Sequence, residues 1–272
     1  MSRVLRMTVG LLLTALALWL ADPVAVWHAA AAADPAWIAA AVALVVFDRA
    51  LMAYRWIVLV RAIAGPVSLP AVLRVFFVST FVGTFLPSVG GDAVRAVSLA
   101  RHGVPVADAT ASVVMDRLLG VWSLVLVACA SLWGAQAAAR DAGVVLTLAL
   151  AATACAAAGV ALYSDRAAAL LTRLIEKFPG ARVRQAARRF LEAMRRYRHA
   201  WRAMASVTLG SVIVQMLRIV QAFCLGMALG IVANPGVYFA VIPIILLIML
   251  VPVTVNGLGT SQLAFVWLFG AV

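Results

Sequence analysis

Four charged side chains stand in two short groups within otherwise apolar sequence. Asp92 precedes Arg95 by three positions, a helical spacing that lets the two side chains pair on one face. Asp116 and Arg117 are neighbours that point about 100° apart on a helix, so each needs a different partner. A charge at the centre of a membrane helix costs roughly 2.5–3.5 kcal/mol and usually faces a cavity or a partner. Arginine would bind a phosphate here, and aspartate would orient the arginines or carry a proton.

Two glycine-containing breaks, at 87–92 and 252–259, interrupt long apolar stretches. Lipid cannot hydrogen-bond an opened backbone, so such breaks persist only where protein or trapped water satisfies them. Paired breaks in the two halves of a chain indicate a transport site, whose glycines allow close backbone approach. The predicted substrate-binding residues are Ser88, Gly90, Gly91, Asp92, Arg95, Asp116, Arg117, Arg218, Asn256, Gly257, Gly259 and Gln262.

Composition indicates a polytopic membrane protein. Hydrophobic residues make up 66% of the 272 positions and charged residues only 12%, which excludes an ordinary soluble domain. Cys129, Cys155 and Cys224 stand singly in apolar segments, and no histidine pair accompanies them. We therefore expect no metal, no disulfide and no cofactor.

Apolar stretches and arginines predict the topology. The first stretch follows Arg3 and Arg6, which favours a retained span with a cytoplasmic N-terminus over a cleaved signal. We predict an all-α fold in one transmembrane domain, 1–272, with two re-entrant, glycine-broken helical hairpins at 72–101 and 237–272 in inverted arrangement. The five predicted full spans lie near 4–21, 36–60, 106–134, 142–163 and 203–231.

The first hairpin is predicted from basic residues on both sides of its break. Arg74 precedes the break, whereas Arg95 and Arg101 follow it, so a complete crossing would place one group outside. The arms 72–87 and 92–101 would be about 24 Å and 15 Å long, too short for two ordinary spans.

Residues 164–202 form a basic segment with eleven basic and three acidic side chains, a net charge of +8. We expect a cytoplasmic amphipathic helix at the membrane interface, near 182–202. Its predicted apolar stripe comprises Val183, Phe190, Met194, Tyr197 and Trp201. Attraction to anionic lipid and ordinary positive-inside bias are both open explanations of the charge.

Three ordered motifs resemble a known family. They are Phe85-Leu86-Pro87-Ser88-Val89-Gly90-Gly91-Asp92-Ala93-Val94-Arg95, Ser112…Asp116-Arg117…Gly120, and Asn256-Gly257-Leu258-Gly259…Ala264-Phe265-Val266. Together with Tyr54-Arg55-Trp56, they resemble the flippase-like transmembrane domain of the lysyl-phosphatidylglycerol synthase/flippase family. The resemblance implies a lipid-translocating or lipid-binding protein, with relatives linked to aminoacylated phosphatidylglycerol, hopanoids and lipid-linked sugars.

Two departures from the family pattern affect these expectations. Family members commonly carry an acidic residue after the asparagine-glycine motif, whereas Thr260-Ser261-Gln262 follows it here, so Gln262 would act only by hydrogen bonding. Relatives also continue beyond the position of Val272, so we expect a short or truncated form.

The sequence therefore favours lipid translocation across the bacterial cytoplasmic (inner) membrane. The expected partners are membrane lipids, anionic phospholipid above all, and not nucleic acid; a homo-oligomer is left open. We expect no enzymatic activity, because no nucleophile or metal cluster accompanies Asp92 and Asp116. The alternatives are a non-transporting scaffold of a lipid-biosynthetic pathway, a lipid-modifying membrane enzyme and an ion channel.

Overall fold

The fold is helical throughout the part of the chain that the computed structural model describes, residues 23–85, 90–132, 142–231, 233–249 and 265. Ten α-helices lie in these ranges, and a 3₁₀ turn at Tyr197–His199 separates the eighth from the ninth. The helices are α1 (Pro23–Ala31), α2 (Pro35–Ala64), α3 (Leu69–Phe85), α4 (Gly90–Ala100), α5 (Val106–Leu132), α6 (Ala142–Tyr163), α7 (Asp165–Glu176), α8 (Ala181–Arg196), α9 (Trp201–Ala228) and α10 (Pro235–Met249).

Four of these helices, α2, α5, α6 and α9, are long and apolar enough to cross a membrane. They correspond to four of the predicted spans, which are confirmed, and the chain is a multi-pass membrane protein. The predicted first span, 4–21, lies outside the described residues. The apolar stretch of α6 has a mean hydropathy of 2.2, yet only 17% of it is buried within the protein. Surface of this kind needs lipid rather than water around it.

The turn between α9 and α10 follows from two residues. Gly230 adopts φ 73° after the end of α9, and its N–H donates to Met227 O while the next N–H donates to Gly226 O, a Schellman motif. Asn234 Oδ1 accepts a hydrogen bond from Gly236 N at 2.8 Å and caps α10. The chain therefore turns at Asn234-Pro235.

Two compact units can be distinguished by their internal packing. Unit 1 comprises Met1–Ala50, Leu124–Ala149 and Val212–Val272. In this unit α10 is largely buried, and its side chains pack with α9 and the end of α5. The core consists of Val127, Ile219, Tyr238, Ala240, Val241, Ile242, Ile244 and Ile245.

Unit 2 comprises Leu51–Ser123 and Leu150–Ser211 and contains two apolar clusters. The first joins α2, α3, α4 and α5; the second joins α2, α5, α6, α8 and α9. The first is built mainly on Trp56, Val60, Val72, Phe76, Leu99 and Val113. The second is built mainly on Leu59, Met115, Leu119, Leu162, Tyr197 and Val207.

Helices α3 and α4 form a tightly packed antiparallel pair within unit 2. A Cβ atom added to Gly91 would lie 2.8 Å from Gly83 Cα and 3.2 Å from Ser79 O. Both contacts are with backbone, so the two glycines allow a separation that a side chain would prevent. The two helical arms that were predicted at 72–87 and 92–101 correspond to α3 (Leu69–Phe85) and α4 (Gly90–Ala100).

The basic segment folds as two amphipathic helices, α7 and α8, but the predicted lipid-facing stripe is wrong. Tyr197 is fully buried and its hydroxyl donates to Leu59 O at 3.0 Å, while Phe190 and Met194 pack against the second cluster of unit 2. Burial raises the pKa of the Tyr197 hydroxyl above its ordinary range. Of the stripe, Val183 and Trp201 are exposed. The apolar face of α8 is therefore satisfied mainly by the protein's own core.

Several arginines of this segment are held by intramolecular ion pairs. Arg196 pairs with the carboxylate of Asp108 on α5 and donates to Ile63 O at 3.0 Å. Arg198 and Arg195 both pair with Asp165, and these contacts lower the pKa of its carboxyl group. These contacts tie α8 and the 3₁₀ turn to α2, α5 and α7.

Candidate functional site

A buried carboxylate with two arginine partners forms the centre of the candidate site. Arg55 Nη2 donates to Asp116 Oδ1 at 3.1 Å, and Arg95 Nη1 lies 3.6 Å from Asp116 Oδ2. The three side chains are only 4–7% exposed. Each comes from a different helix, α2, α4 or α5, so the ion pairs hold three helices of unit 2 together.

The guanidinium group of Arg95 is also enclosed by neutral partners. Its central carbon lies 5.3 Å from the Trp56 ring centroid and 4.8 Å from that of Phe76, within reach of cation–π attraction. Its Nε donates to Ser79 Oγ at 3.2 Å. The side chain is thus held by partners on α2, α3 and α5.

Asp92 and Arg117 form the second ion pair of the site. Arg117 Nε donates to Asp92 Oδ2 at 2.8 Å and Nη2 donates to Oδ1 at 3.0 Å, a bidentate geometry. The predicted pairing of Asp92 with Arg95 is wrong, because the two side chains find partners on α5 instead of on their own helix. The prediction that Asp116 and Arg117 need different partners is confirmed.

Arg117 differs from the other arginines of the site in its exposure. Its side chain is 61% exposed, whereas that of Asp92 is 17% exposed. Asp92 accepts from two of the five N–H donors of this guanidinium group. Among the residues that the structure describes, the remaining three N–H donors have no acceptor.

The N-terminus of α4 lies beside this guanidinium group. The helix begins at Gly90, and Asp92, in its first turn, carries the contact to Arg117. The first N–H groups of a helix have no intrahelical acceptor, and the helix dipole places positive potential there. Arg117 and the start of α4 therefore combine two features that favour an anion.

The charges of the site add to the same preference. Three arginines and two aspartates give a net charge of +1 across the two ion-paired groups. Among the described residues, no group of three or more His, Cys, Asp or Glu side chains is arranged to hold a metal ion. The arrangement is suited to binding an anion through N–H donors.

Arg218, another predicted site residue, lies on α9 in unit 1. Its Nε is 3.9 Å from Asp48 Oδ1, and Arg49 Nε is 3.3 Å from Asp48 Oδ2. The Asp48 side chain is 2% exposed. Unit 1 therefore has its own buried carboxylate with nearby arginines.

The structure brings six predicted site residues together in unit 2: Gly90, Gly91, Asp92 and Arg95 on α4, and Asp116 and Arg117 on α5. The predicted residues Ser88, Asn256, Gly257, Gly259 and Gln262 lie outside the described residues.

Sequence reasoning missed two contributors to the site, Arg55 and Ser79. The sequence marks Arg55 only as part of the Tyr54-Arg55-Trp56 motif, but it is 4% exposed and bound to Asp116. Its position inside the 30-residue α2 was the available signal, because an arginine more than two turns from a helix end needs a partner. No pattern in the sequence distinguishes Ser79 from other serines of apolar helices.

Comparisons with known proteins place these residues in a family. A search of curated proteins and a search of solved structures gave no match. Residues 7–272 match the profile of the lysylphosphatidylglycerol synthase TM region, so that nearly the whole chain is covered. The chain therefore belongs to the family of the lysylphosphatidylglycerol synthase transmembrane region.

Proposed function

We propose that the protein translocates an anionic phospholipid, whose phosphate binds Arg117 and the N-terminus of α4. The observation that carries this proposal is the bidentate pair between Arg117, whose side chain is 61% exposed, and Asp92 in the first turn of α4. Membership of a family associated with lipid modification and flipping supports it. Catalysis is not part of the proposal.

The two groups of charges have different roles in this mechanism. Arg55 and Arg95 are buried and both pair with Asp116, so these three residues hold α2, α4 and α5 in place. Arg117 retains N–H donors that can replace the water of a headgroup as it enters hydrocarbon. Asp92 fixes the plane of that guanidinium group, so that less rotamer freedom is lost on binding.

The proposed substrate-binding residues also include Asn256, Gly257, Gly259 and Gln262 of the second glycine motif, together with Arg218. This part of the proposal rests on the sequence motif alone.

We also propose that α3 and α4 form a re-entrant hairpin. The start of α3 and the end of α4 would both lie on the cytoplasmic side of a bacterial inner membrane. Arg74 on α3 and Arg101 after α4 are both exposed, and basic residues favour that side. Single cysteines at these two positions should both react with a membrane-impermeant maleimide only after the cytoplasmic face is opened. Labelling of one of them from outside would show a complete crossing and contradict the hairpin.

The translocation test uses the purified protein in phosphatidylcholine vesicles that contain fluorescent phosphatidylglycerol in both leaflets. Chemical quenching from outside then removes half of the signal without transport and nearly all of it with transport. We expect Arg117→Ala to abolish the additional loss, and Arg117→Lys to restore it only in part because lysine lacks the planar fork.

Arg74→Ala is the matched control, since it removes an exposed arginine from α3, outside both ion-paired groups. It should transport at the wild-type rate. Wild-type rates for Arg117→Ala would remove this residue from the mechanism, and equal rates for fluorescent phosphatidylcholine would contradict recognition of an anionic headgroup.

A further inference from the structure

A cavity of about 460 Å³ lies in unit 2 among α5, α6, α8 and α9. Its lining is mainly apolar and includes Met115 and Trp122 of α5, Gly159 of α6, Met194 of α8 and Trp201 of α9. The volume falls within the range of about 300–1,000 Å³ that is usual for small-molecule sites. Flexible methionine side chains and aromatic rings are suited to an apolar occupant of variable shape.

The cavity lies on a different face of α5 from Arg117. Met115, Leu119 and Trp122 line the cavity and recur at the i, i+4, i+7 spacing of one helix face. Arg117 follows Met115 by two positions, about 200° around the helix. An occupant of the cavity is therefore distinct from an anion bound at Arg117.

The cavity opens to the surface between apolar helices. The lining residues Tyr163, at the end of α6, and Trp201, at the start of α9, are 57% and 65% exposed. Both helices are candidate membrane spans, so the surrounding medium along them is lipid. A hydrocarbon chain is the occupant that such surroundings supply.

The side chain of Arg202 supplies a positive charge at this opening. The guanidinium carbon of Arg202 lies 5.5 Å from the ring centroid of Trp201. The nearby Arg195 and Arg198 are paired with Asp165, whereas Arg202 makes no ion pair with any residue in the described ranges. An apolar cavity with one uncompensated arginine at its mouth complements a lipid that has an acyl chain and a negative phosphate.

We propose that this cavity is a second lipid site, which takes one acyl chain of an anionic phospholipid and binds its phosphate at Arg202. The site goes beyond the proposed translocation at Arg117. It would hold a lipid beside the segment that links α6 to α9, where the paired arginines of the basic segment are already used within the protein.

The test is photolabelling of the purified, full-length chain in phosphatidylcholine vesicles. The probe is phosphatidylglycerol with a diazirine in one acyl chain, and the labelled peptides are identified by mass spectrometry. We expect labels on the cavity-lining parts of α6 and α9. The readout is binding and needs no translocation, so its outcome is separate from that of the Arg117 experiment.

Gly159→Leu is the decisive variant, because a Cβ at Gly159 meets nothing within 4 Å and the added side chain would enter the cavity. It should lose the α6 and α9 labels. Ala157→Leu adds similar bulk to an exposed position of α6 that does not line the cavity, and should keep them. Labels spread evenly over all spans and unaffected by Gly159→Leu would overturn the proposal.

Arg202→Ala tests the headgroup contact without changing the cavity. Labelling by phosphatidylglycerol should fall about fivefold, the factor for one basic residue near an anionic surface. Labelling by phosphatidylcholine with the same diazirine chain should not change. Equal labelling by the two lipids in the wild-type protein, or no effect of Arg202→Ala, would overturn the assignment even if Gly159→Leu failed to fold.

Discussion

Replacing Asp116 by alanine should destabilise the protein far more than replacing Arg117. Asp116 is the carboxylate between Arg55, at 3.1 Å, and Arg95, at 3.6 Å, and these side chains are 4–7% exposed. At an effective dielectric constant of about 20, each contact corresponds to about 5 kcal/mol of attraction, which is offset by the cost of removing the charges from water. Asp116→Ala leaves both arginines buried without that attraction.

The expected loss in the free energy of unfolding is about 3–5 kcal/mol, the usual result of removing one partner of a buried ion pair. Arg117→Ala should cost about 1 kcal/mol or less, because that side chain is 61% exposed. The loss for Asp116→Asn should lie between these two values, because the amide oxygen can still accept a hydrogen bond from Arg55 but carries no charge.

The assay is reversible unfolding in mixed micelles by increasing sodium dodecyl sulfate, followed by tryptophan fluorescence. Trp56, which packs against Arg95, is one of the eight tryptophans that contribute to this signal. Glu192→Ala, which removes an exposed carboxylate of α8, is the control and should unfold like the wild type. Equal stability of Asp116→Ala and Arg117→Ala would refute the division between a structural and a binding group of charges.

Three further predictions concern unit 2. Gly91→Ala should lower the free energy of unfolding by about 1–3 kcal/mol, because its Cβ would lie 2.8 Å from Gly83 Cα; an unchanged unfolding curve would show that α3 and α4 can separate freely. Tyr197→Phe should cost about 0.5–1.5 kcal/mol in the same measurement, since it removes the hydrogen bond to Leu59 O, and a stabilised variant would contradict this. Arg195 and Arg198 lower the pKa of the Asp165 carboxyl group. The stability that these two ion pairs contribute is therefore fully present above the ordinary aspartate pKa, and it is lost as the pH falls through the lowered pKa of Asp165. Carbon-13 NMR titration of this carboxyl group tests the direction, and a midpoint above the ordinary value would contradict it.

The long helices could be predicted from the sequence because lipid imposes a length and a composition. The span predicted at 142–163 matches α6 residue for residue, and that predicted at 36–60 lies within Pro35–Ala64. A helix end can also be predicted where a residue with a strong capping preference precedes the helix, as Asn234 does before α10. These features depend on local sequence and on the membrane, both of which a single chain reveals.

The ion-pair partners could not be predicted in the same way. Local spacing favoured Asp92 with Arg95, but Asp92 pairs with Arg117, 25 positions away, and Asp116 pairs with Arg55, 61 positions away. Which side chains meet depends on the rotation of each helix about its axis, and hydropathy does not contain that angle.

The apolar stripe of α8 failed for a related reason. Hydrophobic periodicity identifies the face that avoids water, but it does not distinguish protein from lipid as the alternative. Phe190, Met194 and Tyr197 occupy such a face and pack against the core of unit 2. The apolar face of α8 packs on protein where the neighbouring helices leave space for it. Only the structure shows that space.

The order of charges on α4 and α5 constrains how these helices can move. On α4 the negative Asp92 precedes the positive Arg95, and their partners on α5 are Arg117 and Asp116 respectively, so the two ion pairs have opposite polarity. A displacement of α4 by three residues, about 4.5 Å, would bring Asp92 beside Asp116 and replace an attraction by a repulsion. Sliding of one helix along the other is thus opposed, so α4 and α5 are expected to move together as one rigid body in the proposed translocation.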